Sequence, residues 1–114
     1  MVKLESLKKS IQFKKTLQEK KTHTDFFSIF AAKNFIPKKN KKTLLISFVM
    51  KKKIGNAVKR NKIRRKLKAI VNKLLKIKGA INSNYTYIVF GKSKAYKEKH
   101  GILLSEMQKS FKKI

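Results

Sequence analysis

The sequence predicts a single α/β domain, and three observations predict it. Its 114 residues match the usual size of one compact unit. Two runs rich in apolar, β-branched and aromatic residues, Leu44 to Met50 and Tyr85 to Phe90, read as strands. Between them lies a long segment with apolar residues at helical spacing, the pattern of a crossover βαβ unit on one small sheet.

Met1 to Lys9 is polar and basic with little periodicity and reads as a flexible lead-in to the domain at 1–114. Ser10 is the predicted N-cap of a short helix reaching about Lys20, with Phe13 and Leu17 at i, i+4 on its inward face. Thr22 to Asp25 reads as a turn or a very short strand. Phe26 to Ala32 is a strand, with Phe27 and Ile29 on one face and Phe26, Ser28 and Phe30 on the other. Asn34 to Lys42 holds the only proline, Pro37, in a lysine-rich run that reads as an exposed loop. Leu44 to Met50 is nearly continuous in apolar residues, which suits a strand buried on both faces. Gly55 and Asn56 break that pattern, and a helix follows to about Lys78, stopped by Gly79. At ~100° per residue, Ile63, Ile70, Val71 and Leu74 all lie within about 60° of Leu67. Arg65 points to nearly the opposite side and Arg64 to the boundary. Arg60 falls in line with the stripe; since buried arginine is rare, it is expected to overhang the sheet edge and reach outward. Tyr85 to Phe90 is the third clear strand. A last helix from about Lys99 to Lys113 shows Leu104, Met107, Phe111 and Ile114 on one side. The coarse order is α-β-β-α-β-α with room for one more short strand.

Charge narrows the function. There are 32 Lys+Arg against 5 Asp+Glu, a formal net charge of +27. At 41 % apolar residues the chain is too hydrophobic for a disordered basic tail. Like charges also disfavour close-packed self-assembly, so a large polyanion, an RNA or DNA backbone, is the implied partner. With 0 Cys there is neither a disulfide framework nor a thiolate metal site. No apolar run suits a signal peptide or a membrane span, so a soluble, cytoplasmic chain without a membrane partner is expected.

Catalytic chemistry finds no support. Glu5, Glu19, Asp25, Glu98 and Glu106 form no pair at i, i+3 or i+4. His23 and His100 have no ligand-spaced companions, and Gly55, Gly79, Gly91 and Gly101 form no phosphate-cradling loop. No catalytic residue, metal ligand or small-molecule substrate is assigned.

All the arginines, Arg60, Arg64 and Arg65, fall within one short window, and every other Lys or Arg position is lysine. Arginine holds phosphate bidentately or stacks on a base, which lysine does not. The window belongs to the run from Lys51 to Lys68, a glycine turn delivering a cationic helix N-terminus. This run closely resembles the protein subunit of bacterial ribonuclease P. That family's signature, K-x-G-x-A-V-x-R-N-x-x-K-R, is met at Lys53, Gly55, Ala57, Val58, Arg60, Asn61 and Arg65, with Arg64 replacing the lysine. The resemblance extends over most of the chain. It departs where the family has Arg-x-Gly (here Leu45 and Ser47), at Lys51, at Lys62 in the R-N-R core and at Asn84.

The resemblance implies an α/β (α+β) two-layer sandwich on a single small mixed sheet, α-β-β-β-α-β-α, with a left-handed βαβ crossover. It also implies an RNA subunit that hydrolyses precursor tRNA with Mg²⁺ held by the RNA, the protein binding no cofactor of its own. By the same resemblance Lys52, Lys53, Asn56, Lys59, Arg60, Asn61, Lys62, Arg64, Arg65, Lys66 and Lys68 would hold ribonuclease P RNA. Phe13, Leu17, Phe27, Phe30 and Tyr87, with Phe26 as a further candidate, would line a cleft for the unpaired 5′ leader of precursor tRNA. On composition alone, a small basic ribosomal protein fits equally well.

Overall fold

Period-2 alternation of the β-forming runs builds one five-stranded mixed sheet in the computed structural model, which describes residues 3–7, 9–34 and 43–114. The strands are β1 (Lys3–Glu5), β2 (Lys20–His23), β3 (Phe27–Lys33), β4 (Thr43–Val49) and β5 (Tyr85–Gly91), in the spatial order β1-β4-β5-β3-β2. β1 and β5 both run parallel to β4, whereas β3 is antiparallel to both β5 and β2. The helices are α1 (Ser10–Thr16), α2 (Ala57–Leu75) and α3 (His100–Lys113). The β4-α2-β5 unit joins neighbouring parallel strands, as the sequence predicts. Apart from Asn34, the expected 34–42 loop lies outside the described residues.

The two faces of the sheet are covered unequally. Phe27, Ile29 and Ala31 of β3 share one face with Leu44, Ile46, Tyr87 and Val89. Onto it pack α2, through Ile63, Leu67, Ile70, Val71 and Leu74, and α3, through Leu103, Met107 and Phe111. The predicted α2 stripe is therefore the buried stripe. The other face carries Leu45, Ile88, Phe30 and Phe90, and among the described residues α1 is the helix that lies on it, with Phe13 packed beside Leu7. An open strip of sheet is left beside α1. Among the described residues, no helix is long and apolar enough to cross a membrane.

Several boundaries differ from the sequence reading, among them the end of α2 at Leu75 rather than about Lys78 and β2 at Lys20–His23 rather than Thr22 to Asp25. The lead-in is structured: residues 3–5 form β1, and Leu7 is buried with its N–H donating to Ser47 Oγ at 2.8 Å. Three strand residues are too few to display a period, and β4 supplies the edge they need. Helix α1 stops at Thr16, whose hydroxyl donates back to the Gln12 carbonyl at 2.8 Å, so the chain can enter β2 at Lys20. Lys9 rather than Ser10 is its N-cap, and Gln12 Oε1 accepts the Lys9 N–H. In α3 the fully buried leucine is Leu103, while Leu104 is only partly buried.

Candidate nucleic-acid interface

A tight turn sets the start of the basic helix. Lys52 and Lys53 are exposed on a 3₁₀ turn, followed by Gly55 at φ 155°. A Cβ at Gly55 would come within 2.9 Å of Lys59 Cδ, so glycine lets the Lys59 stem fold against the turn. Asn56 caps α2, its Oδ1 accepting the Lys59 N–H at 2.9 Å. Its amide oxygen is thus engaged by the helix end.

Beyond the cap, the polar residues of α2 separate into two shoulders flanking the buried stripe. Asn61, Arg64, Arg65 and Lys68 form one. Arg65 and Lys68 are exposed, and Arg64 donates to Asn61 Oδ1 at 2.7 Å, which fixes one edge of its guanidinium and leaves the rest available. The other shoulder, Lys59, Lys62 and Lys66 at i, i+3 and i+7, faces the segment from Ser93 to Glu98. Lys59 Nζ donates to Ser93 Oγ at 2.8 Å. The Lys59 and Lys62 ammonium groups sit 5.3 and 4.9 Å from the Tyr96 ring centroid.

Lys66 corrects the sequence expectation. Its Nζ donates to the carbonyls of Ala95, Tyr96 and Glu98 at 2.8, 3.0 and 2.7 Å. Those bonds use all three donors of an ammonium group and leave none for a phosphate. Burial, helped by the neighbouring Lys62 charge and opposed by Glu98, holds this ammonium below the usual lysine range. Arg60 also departs from expectation: it is partly buried, and its Nε is sealed from solvent with no partner among the described residues. Its place in line with the apolar stripe is the reason.

On the opposite face of the sheet, the open strip forms a cleft of about 570 Å³. Leu17, Phe30 and Phe90 give it apolar walls, Ser28 and His23 a polar corner, and Lys51, Lys53 and Lys92 a cationic border. Phe30 meets Phe90 edge to face at 5.5 Å, and His23 stands edge-on to Phe30 at 5.9 Å. His23 Nδ1 and Ser28 Oγ share a 2.6 Å hydrogen bond. Lys51 Nζ lies 5.7 Å from the Phe90 ring centroid, and Lys92 Nζ donates to the Thr24 carbonyl at 2.7 Å.

Leu17 and Phe30 line this cleft, and Phe13 belongs to the apolar cluster beside it. Phe27 and Tyr87 are not in it. Both point to the α2/α3 side, 0 % and 1 % exposed; Tyr87 packs edge to face on Phe111 and donates its hydroxyl to the Asn82 carbonyl at 2.9 Å. Phe26 lies beside the Ser93–Glu98 segment instead. The residues missed were Phe90, His23, Lys51 and Lys92. The signal for Phe90 was available: it sits an odd number of residues from Tyr87, so the two rings lie on opposite faces of β5.

A family model described as Ribonuclease P matches residues 1–114. The chain belongs to the ribonuclease P protein family. It is the protein component of ribonuclease P, a ribonucleoprotein endoribonuclease of tRNA processing, and ribonuclease P RNA is its partner. Membership removes the ribosomal-protein alternative. The fold is similar to that of the ribonuclease P protein of Thermotoga maritima, at 22 % identity, with 96 % of this chain and 97 % of that chain covered and a TM-score of 0.75. The Staphylococcus aureus ribonuclease P protein is 24 % identical over 94 % of this chain and 92 % of its own, with a TM-score of 0.63. Among curated proteins none matches.

Proposed function

We propose that this subunit joins two RNA contacts on different surfaces: the arginine shoulder of α2 and its 3₁₀ turn hold ribonuclease P RNA, and the cleft holds the unpaired 5′ leader of precursor tRNA. Supporting the second contact is one observation, the Phe30–Phe90 pair walled by apolar side chains and bordered by Lys51 and Lys53. Aromatic faces stack on unpaired bases irrespective of sequence, and ammonium groups follow the backbone, which is what variable leaders require.

On the shoulder, Arg65 and Lys68 are exposed, Arg64 keeps part of its fork, and Lys52 and Lys53 extend the positive surface to the rim of the cleft. The protein supplies position and charge in this reading; the RNA supplies the Mg²⁺ and breaks the bond, in the cytoplasm. By screening phosphate repulsion between RNA subunit and substrate, the protein lowers the Mg²⁺ the reaction requires.

The test is affinity for ribonuclease P RNA against salt. Replacing Arg64→Ala with Arg65→Ala should weaken binding and flatten the log–log salt slope by just under one unit per lost contact. An unchanged slope refutes the assignment to this shoulder.

A further inference from the structure

The lysine shoulder borders a second recess, separate from the α2 arginines, that neither RNA contact above uses. Its volume is about 430 Å³, within the ~300–1,000 Å³ range of small-ligand sites. Phe26 and Tyr96 give it aromatic surface; Lys59, Lys94 and Lys97 give it charge, and Ser93 and Glu98 complete the lining. Lys62 adds its ammonium on the Tyr96 ring.

Two features make this more than a solvated basic face. The Tyr96 carbonyl is tied to Lys66, which fixes the backbone that carries the ring, and the Lys59 and Lys62 ammonium groups lie 5.3 and 4.9 Å from the ring centroid. Lys62, Lys94 and Lys97 donate no hydrogen bond to a described residue, and only one carboxylate, Glu98, is present against them. Glu98 accepts the Lys99 N–H through Oε1 at 2.9 Å, which turns part of its charge towards the backbone. Ser93 lines both this recess and the cleft, so the two adjoin.

From this geometry we infer that the Tyr96 recess is a further nucleotide site, taking an unpaired ribonucleotide with its base against the Phe26/Tyr96 surface and its phosphate on Lys59, Lys62, Lys94 and Lys97. Aromatic surface beside ammonium groups with donors to spare is the chemistry that captures single-stranded RNA. The inference rests on the RNA-binding reading above. Two sources share that chemistry: a leader strand running on from the cleft past Ser93, and an unpaired nucleotide of ribonuclease P RNA.

The experiment uses Lys94→Ala with Lys97→Ala (both exposed), Tyr96→Leu and Tyr96→Phe, each in the full chain with matched thermal stability. Affinity is measured against salt in two arms: the protein with ribonuclease P RNA, and the assembled holoenzyme with precursor tRNA carrying a long or a one-nucleotide leader. The lysine pair should lose about 0.7 of salt slope per contact, the value for single strands. Tyr96→Leu should lose about tenfold in the same arm, and Tyr96→Phe should retain affinity within about twofold, since stacking needs the ring and not the hydroxyl. Loss with the long leader alone places the leader in the recess; loss in the first arm places ribonuclease P RNA there. An unchanged slope in both arms, or a changed slope with Tyr96→Leu unaffected, overturns the inference. Arg64→Ala with Arg65→Ala serves as the reference: if it weakens binding while the recess variants do not, the recess alone fails, and if neither does, the RNA-binding reading itself fails.

Discussion

Replacing Lys66→Met separates a structural lysine from an RNA-binding one. The side chain keeps its length and its apolar stem and loses the three bonds to the Ala95, Tyr96 and Glu98 carbonyls. Hydrogen bonds to a charged group are worth about 1.5 kcal/mol each at the low end, so the gross loss is ~4–5 kcal/mol. The native ammonium is partly desolvated, and removing it recovers some of that, leaving a net cost of about 2–3 kcal/mol. For a chain of this size that lowers the melting temperature by roughly 10 °C. Urea unfolding of the free protein is the assay, with Lys66→Arg and Lys68→Met alongside. Lys66→Arg should fall between native and Met, because a planar fork cannot reach three carbonyls arranged around a point. Lys68→Met, at an exposed position, should stay within about 0.5 kcal/mol of native. If Lys66→Met is as stable as native and instead flattens the salt slope for RNA, the tether argument is wrong and Lys66 is a phosphate ligand.

Further outcomes follow from the two sheet faces. Phe27→Ala should cost about 3–5 kcal/mol in stability, as a fully buried ring in a packed core, whereas Phe90→Leu should cost under about 1.5 kcal/mol and weaken binding only of precursor tRNA that carries a leader. Equal leader dependence for both would refute the face assignment. Burial pushes the Tyr87 hydroxyl up to about 12, against an ordinary value of about 10. Between those values the unfolded chain releases this proton while the folded chain keeps it, so stability falls as pH rises through the window. Tyr87→Phe should remove that part of the alkaline decline and the latest tyrosinate step in ultraviolet titration; an unaltered titration would contradict the burial.

Much of this architecture was legible because it depends on period. The stripe from Ile63 to Leu74 needed only helical spacing, and the alternation of Phe27 and Ile29 against Ser28 and Phe30 needed only the pleat. What periodicity omits is the neighbour. Nothing local in Met1 to Lys9 says that β4 has a free edge forty residues on, and nothing around Lys66 says that three carbonyls from beyond β5 will converge on it. The resemblance alone implies a cleft position for Tyr87 and Phe27; the pleat separates Phe27 from Phe30, and the pairing of Ala31 with Tyr87 shows that Tyr87 shares the Phe27 face. The candidate site was legible in outline where the motif is contiguous, from Lys53 to Arg65, and less so where the cleft is assembled across the sheet, as with His23 and Phe90.

The position of β5 between β4 and β3 has a consequence for how the chain is made. Those two are successive strands, yet they do not touch; the wedge between them is the stretch translated after the long cationic rod. A polypeptide still emerging from the ribosome therefore carries both halves of its platform apart until position 91 has cleared the tunnel, with most of its lysines already outside and surrounded by ribosomal RNA. Closure of the platform is a late event in synthesis, and until then the sheet that carries the candidate cleft is incomplete.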